Sequence, residues 1–165
     1  GKLWIPGAMA GRVARIAAQL RTFGGSRTFC SMAAATDDVL FDEKANGNML
    51  ITLNRPKALN ALDASMVAKL TPKYKSWLAD SAKRTLVMVG AGSKAFCAGG
   101  DIKAIYDAKK KGLSAKKCCT FFENEYELNQ IIGTLPPNLT QVSILNGITM
   151  GGGVGLSVHG KKLDI

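Results

Sequence analysis

The stretch Lys94-Ala95-Phe96-Cys97-Ala98-Gly99-Gly100-Asp101-Ile102-Lys103, KAFCAGGDIK, decides how this chain is read. Just upstream, Leu86-Val87-Met88-Val89 is a short apolar run with the character of a buried strand, ending at the loop Gly90-Ala91-Gly92-Ser93. The small residues from Cys97 to Gly100 let a ligand come close to the backbone, and Asp101 then opens a helical pattern. N–H groups at a loop-to-helix junction favour a negatively charged oxygen. A second cluster, Gly151-Gly152-Gly153, stands at another strand-to-helix junction. Two such clusters can aim one N–H each at a single developing oxyanion. Either cluster alone is equally an ordinary glycine-rich turn.

Working outward, Val39-Leu40-Phe41 and Met49 to Leu53 are apolar runs separated by Asn46-Gly47-Asn48, which predicts a β-hairpin. Arg55-Pro56 ends the second strand, because proline has no N–H for a ladder. Asp63 is placed as the N-cap of a helix with Met66, Leu70, Tyr74 and Leu78 on its buried stripe. Pro72 inside that pattern implies either a kink or a late first turn. A further helix, FFENEYELNQII, is expected to set Phe122, Tyr126, Asn129 and Ile132 on one side. Its acids Glu123, Glu125 and Glu127 read on their own as a charged helix face. Val142-Ser143-Ile144-Leu145 is a strand candidate leading through Asn146-Gly147 to the glycine triplet.

At 165 residues the prior is one domain, and 47% apolar content can fill a core. No apolar run approaches membrane-spanning length. The four cysteines, Cys30, Cys97, Cys118 and Cys119, have neither metal-ligand nor disulfide-framework spacing, which predicts reduced thiols and no metal. The net charge of +10 raises nucleic acid as a partner, but half of it lies in residues 1–36. The mild excess elsewhere suits attraction of a polyanionic small molecule. A Rossmann reading of the triplet fails, since no G-x-G-x-x-G spacing occurs there.

Residues 1–36 carry Lys2, Arg12, Arg15, Arg21 and Arg27 and no acid. Val13, Ile16, Ala17 and Leu20 fall at helical spacing opposite the arginines, and Gly24-Gly25-Ser26 follows. The pattern predicts a mitochondrial transit peptide, with cleavage near Phe29 to Ser31, and residues 1–36 are set apart from a folded portion at 37–165.

Three segments together, LNRPKALNAL (53–62), KAFCAGGDIK and NGITMGGGVGLSVHG (146–160), resemble the crotonase (enoyl-CoA hydratase/isomerase) superfamily. Within it the wording is most like the 3-hydroxyisobutyryl-CoA hydrolase branch. The resemblance implies an α/β fold, a spiral of ββα units. It implies hydrolysis of 3-hydroxyisobutyryl-CoA to 3-hydroxyisobutyrate and coenzyme A, a step of valine breakdown in the mitochondrial matrix. Coenzyme A enters as part of the substrate, so no separate cofactor is expected, nor a nucleic acid or membrane partner. Self-association is expected of the full-length relatives.

Residue by residue, the resemblance implies that the backbone N–H groups of Gly100 and Gly152 form the oxyanion hole. Lys57, Ala58, Leu59, Ala98, Asp101, Ile102 and Lys103 would border coenzyme A, and Glu125 would hold the substrate's hydroxyl end. Read without the resemblance, Lys57 is an ordinary solvated lysine. The position of a hydratase's first catalytic glutamate is Gly155 here, which argues against the two-glutamate addition of water. His159, the only histidine, reads as a structural residue. The connection Pro136 to Gln141 departs from the family pattern by about two extra residues, which short connections absorb in the loop. The resemblance also implies that the catalytic carboxylates lie beyond Ile165, making this an N-terminal, incomplete spiral with poor solubility of its own. The competing expectations are another crotonase-type hydratase or isomerase, and a catalytically inactive acyl-CoA-binding fragment.

Overall fold

The computed structural model describes residues 37–159. The transit-peptide reading of residues 1–36 and the reading of the chain end at 161–165 lie outside the described residues. The first two strands are β1 (Val39–Glu43) and β2 (Met49–Leu53), antiparallel, with Glu43 opposite Met49. Asn46-Gly47 turns the chain between them as expected. Gly47 has φ +78°, and a Cβ there would stand 2.3 Å from the Ala82 carbonyl oxygen, so the turn needs glycine for both shape and space.

A short 3-10 turn, Pro56–Ala58, leads to helix α1 (Ala64–Leu78). Asp63 caps α1, its Oδ1 accepting from the Met66 N–H at 2.9 Å. Pro72 lies within the helix rather than in its first turn. The buried face is Met66, Val67, Leu70, Tyr74 and Trp77, whereas Leu78 is 37% exposed. A stripe stepping by four drifts around a helix of 3.6 residues per turn. After Met66, Leu70 and Tyr74 the next inward position is therefore three residues on, at Trp77.

Helix α1 carries the chain over to β3 (Thr85–Gly90), which runs parallel to β2. Then come β4 (Ala95–Cys97), α2 (Ile102–Lys110), α3 (Ala115–Gly133), β5 (Thr140–Ile144), β6 (Ile148–Thr149) and α4 (Gly152–Val158). Strand β5 pairs parallel to β3, giving a four-stranded sheet ordered β1-β2-β3-β5, while β4 and β6 pair parallel in a two-stranded sheet. The successive β3-β4-helix and β5-β6-helix units are the expected ββα repeat. The departing connection folds locally, with the Leu139 N–H donating to the Pro136 oxygen and Leu139 buried, and β5 enters its ladder with Thr140 opposite Thr85. Strand β5 starts two residues earlier than expected, and Leu145 is exposed beyond its end.

Helix α3 differs in phase from its expected face. Phe121, Glu125, Leu128 and Ile132 are buried, while Tyr126 is 64% exposed. The true face includes a carboxylate, so apolar periodicity alone selects a face turned by about one residue. Core residues from the sheet, Met49, Ile51, Leu53, Leu86 and Met88, join those of α1 and α3 in one cluster. Among the described residues no helix is long and apolar enough to cross a membrane.

Candidate active site

The pairing of β4 with β6 brings the two glycine clusters together. The Ile148 N–H donates to the Lys94 oxygen at 3.0 Å and the Met150 N–H to the Cys97 oxygen at 3.1 Å. Parallel strands end on the same side, so the turns that follow them, Ala98–Asp101 and Met150–Gly152, emerge next to each other. Gly99 and Gly151 have φ +104° and +47°, and a Cβ on Gly151 would touch the Gly99 Cα at 3.6 Å. Both positions take backbone conformations that favour glycine, and the two turns already lie in van der Waals contact.

Gly100 and Gly152 follow those two residues. A Cβ on Gly152 would lie 3.5 Å from the Gly100 nitrogen and 2.5 Å from Oε1 of Glu125. A Cβ on Gly100 would meet the Phe121 ring at 3.3 Å and Oε2 of Glu125 at 3.9 Å. The N–H groups of Gly100 and Gly152 donate to none of the described residues, although their neighbours Asp101 and Gly153 are both engaged. The structure thus gathers two unpaired amides and one carboxylate. Glu125 is 5% exposed, forms no ion pair with a described residue, and has its carboxyl pushed up by burial. Glu123 and Glu127 are exposed, the latter paired with Lys75.

Helix α4 is seated by close contacts. A Cβ on Gly153 would lie 2.3 Å from the Cys97 oxygen, and one on Gly155 would lie 2.5 Å from Nδ2 of Asn129. The Gln141 side chain donates to the Leu156 oxygen at 2.6 Å and accepts from the Tyr74 hydroxyl at 2.6 Å, tying α4 through β5 to α1. Cys97 is buried against this junction, and burial pushes its thiol up, which makes it a packing residue rather than a nucleophile. His159 is exposed at the C-terminal cap of α4.

The residues expected to border coenzyme A divide into three groups. Leu59 and Ala98 are joined by a hydrogen bond from the Ala98 N–H to the Leu59 oxygen at 3.1 Å, and Ala58 precedes them, half-buried. Lys57, Ile102 and Lys103 are exposed, and neither lysine is in an ion pair with a described residue. Asp101 faces inward instead. Its Oδ1 caps α2 by accepting from the Ala104 N–H at 3.0 Å, and its Oδ2 binds Arg55 at 2.9 Å. Partial burial pushes its carboxyl up, but the Ala104 N–H, Arg55 and Lys103 outweigh that and hold it below the usual carboxylate range.

Several contributors were not legible as site residues. Asn60, buried with φ +53°, accepts from the Arg55 N–H and donates to the Ala91 and Ala95 oxygens. Asn146 makes three hydrogen bonds to Gly90 and Gly92. Both asparagines fix the loop before β4, and only their place inside the recognised segments 53–62 and 146–160 hinted at it. Phe121 forms part of a cleft of about 280 Å³ with Asp101, Ile105, Leu113 and Cys118. A larger polar depression, about 570 Å³, sits at the β1–β2 hairpin and contains none of the candidates.

The profile described as Enoyl-CoA hydratase/isomerase matches residues 48–163. Mitochondrial 3-hydroxyisobutyryl-CoA hydrolase from Dictyostelium discoideum is 51% identical over 135 residues, covering 78% of this chain and 35% of that protein. The Homo sapiens protein of the same name is 46% identical over 127 residues, covering 77% and 32%. Among solved structures, a carnitinyl-CoA dehydratase from Mycobacterium thermoresistibile superposes with a TM-score of 0.69 at 41% identity, over 76% of this chain and 36% of the other. An enoyl-CoA hydratase from Rhodobacter sphaeroides gives 0.67 at 39% identity, over 75% and 36%. The chain spans about a third of the length of the curated relatives it matches.

Proposed function

The chain belongs to the enoyl-CoA hydratase/isomerase family, and from that premise we propose that it is the thioester-binding part of a 3-hydroxyisobutyryl-CoA hydrolase of valine breakdown. Its assigned place of work is the mitochondrial matrix, a reading supported by the word mitochondrial in its relatives' names and by the acid-free, arginine-bearing residues 1–36. The observation that carries the proposal is the meeting of two unpaired glycine amides with a buried carboxylate.

In this reading the thioester carbonyl oxygen accepts from the Gly100 and Gly152 N–H groups. Attack at the carbonyl carbon moves the π electrons onto that oxygen, and the amides stabilise the charge. Collapse of the tetrahedral species then expels the coenzyme A thiolate, which takes up a proton. A preorganised donor of this kind contributes about 2.7–4 kcal/mol to transition-state stabilisation. Glu125 binds the substrate's alcohol, a role helped by burial, which raises its proton affinity. The turn at Lys57-Ala58-Leu59, with Ala98 and the first turn of α2, receives coenzyme A. The resemblance assigns the carboxylate that attacks, or that activates water, to a part of the hydrolase outside this chain. The chain alone is therefore expected to bind and polarise the thioester with slow turnover.

The hydratase reading is disfavoured by Gly155, which supplies no carboxylate where the resemblance puts a hydratase's first catalytic glutamate and which packs against the Asn129 side chain instead. Calorimetry with 3-hydroxyisobutyryl-CoA, together with thiol trapping on the same preparation, tests the proposal. Binding with thiol release above the buffer rate supports a hydrolase. Binding with no release at all identifies an acyl-CoA-binding fragment, and hydration of crotonyl-CoA without thiol release would move the chain to the hydratases.

A further inference from the structure

Arg55 lies in the turn after β2, yet its guanidinium reaches both helices that begin near the glycine pair. One arm, Nη2, binds Oδ2 of Asp101 at 2.9 Å; the other, Nη1, binds Oδ2 of Asp63 at 3.2 Å and donates to the Ala61 oxygen at 2.6 Å. Each aspartate spends its other oxygen on a helix N-cap, Asp63 on the Met66 N–H and Asp101 on the Ala104 N–H. A single planar cation thus ties the caps of α1 and α2 together. The three side chains are only 16% to 22% exposed, so solvent screens the bridge less than it would a surface pair.

Between the two caps runs a strip of backbone holding Gly100. The Leu62 N–H donates to the Gly99 oxygen at 2.8 Å, and the Asp101 N–H donates to the Leu62 oxygen at 2.8 Å. Gly100 is the residue that this ladder spans without using its N–H. The peptide plane that carries its N–H is tied at the Gly99 oxygen, the following plane is tied at the Asp101 N–H, and Asp101 is held from outside by Arg55, so the glycine between them is anchored at both ends. Glycine has no side chain to resist rotation, so these flanking ties set the N–H direction.

We propose that Arg55 is a positioning residue: by bridging Asp63 and Asp101 it fixes the direction of the Gly100 N–H toward the thioester carbonyl. The proposal rests on the oxyanion reading of Gly100. Lysine cannot replace it, because a point charge does not span two carboxylates and a carbonyl in a fixed fork.

The test uses the full chain with Arg55→Met, Arg55→Lys and Asp101→Asn. Asparagine caps helices about as well as aspartate, so Asp101→Asn removes the ion pair while sparing the cap. Two readouts are taken: hydrogen exchange of segment 98–102, and the carbonyl ¹³C shift of bound acetyl-CoA labelled at that carbon. Exchange in the segment is expected to rise about tenfold in all three variants, with β2 and β3 unchanged. The downfield shift on binding is expected to fall by about half or more in all three, while the affinity of the two Arg55 variants changes less than about threefold, the mark of lost polarisation rather than lost binding. A wild-type shift that persists in Asp101→Asn and Arg55→Lys, or exchange equal to wild type in both, overturns the positioning role alone. A wild-type complex whose carbonyl does not shift overturns the oxyanion reading and the proposal with it.

Discussion

Gly152 shows how little room the site leaves at the scale of a residue. Its missing side chain is the space into which Glu125 turns, 2.5 Å from where a Cβ would stand. Gly152→Ala must push the carboxylate away from the amide pair. The carboxylate is the far end of a flexible side chain and can swing aside at little cost in stability, but the added Cβ stands 3.5 Å from the Gly100 nitrogen and crowds the amide pair, so thiol release by an active preparation should fall by about 10²–10³-fold. Stopped assays of thiol release alongside urea melts check both outcomes. Glu125 offers a second test through pH. Burial raises its carboxyl above the ordinary 4.5, so the native state holds a proton that the unfolded chain releases earlier. The associated stability is complete below the unfolded value and is lost as pH rises through the native one. Glu125→Gln removes that slope. Its melting temperature should match wild type in acid and exceed it increasingly toward neutral pH, and a gap independent of pH would contradict the burial argument.

The elements matter through how they are tied rather than through their own length. Strands β4 and β6 have three and two residues, too few for any apolar-run criterion, yet their parallel pairing is what sets the two glycine turns side by side. Helix α4 is short and glycine-rich, a poor helix by propensity. It depends on outside ties, chief among them Gln141, which links it to Tyr74 in α1. Tyr74→Phe leaves Oε1 of the buried Gln141 without its donor. The expected loss is about 1–3 kcal/mol in urea unfolding, with faster hydrogen exchange in α4 than in β2. Unchanged exchange in α4 would mean that the link does not hold the helix. The hairpin, the strand before Gly90, the cap at Asp63 and the helix opening at Asp101 were legible because each is encoded by contiguous residues. The inward phase of α3 was not, because its buried face contains Glu125, which only the site around it justifies.

Over the molecule as a whole, charge is sorted by pairing. Lys44, Lys69, Lys73, Lys75 and Lys83 each meet a carboxylate among the described residues. Lys57, Lys103, Lys109, Lys110, Lys111, Lys116 and Lys117, on the turn after β2, on α2 and at the start of α3, are in no such pair and are exposed. That distribution suits a ligand carrying several phosphates. Affinity for coenzyme A measured by calorimetry should weaken by about tenfold between low and high salt; a salt-independent affinity would assign the lysines to solvation alone. By itself the sequence determined the αβ alternation, the hairpin, the Asp63 cap, the helix opening at Asp101 and the two glycine clusters. These depend on local backbone preferences and on side chains bonding to neighbouring residues. The resemblance named Gly100, Gly152 and Glu125 together, but only tertiary structure supplied the contact among them, and it alone decided that Arg55 joins two caps 46 and 8 residues away from it in the chain. Those are contacts between segments that approach only after β4 pairs with β6 and the helices pack, and no local pattern records which distant backbone a glycine leaves room for.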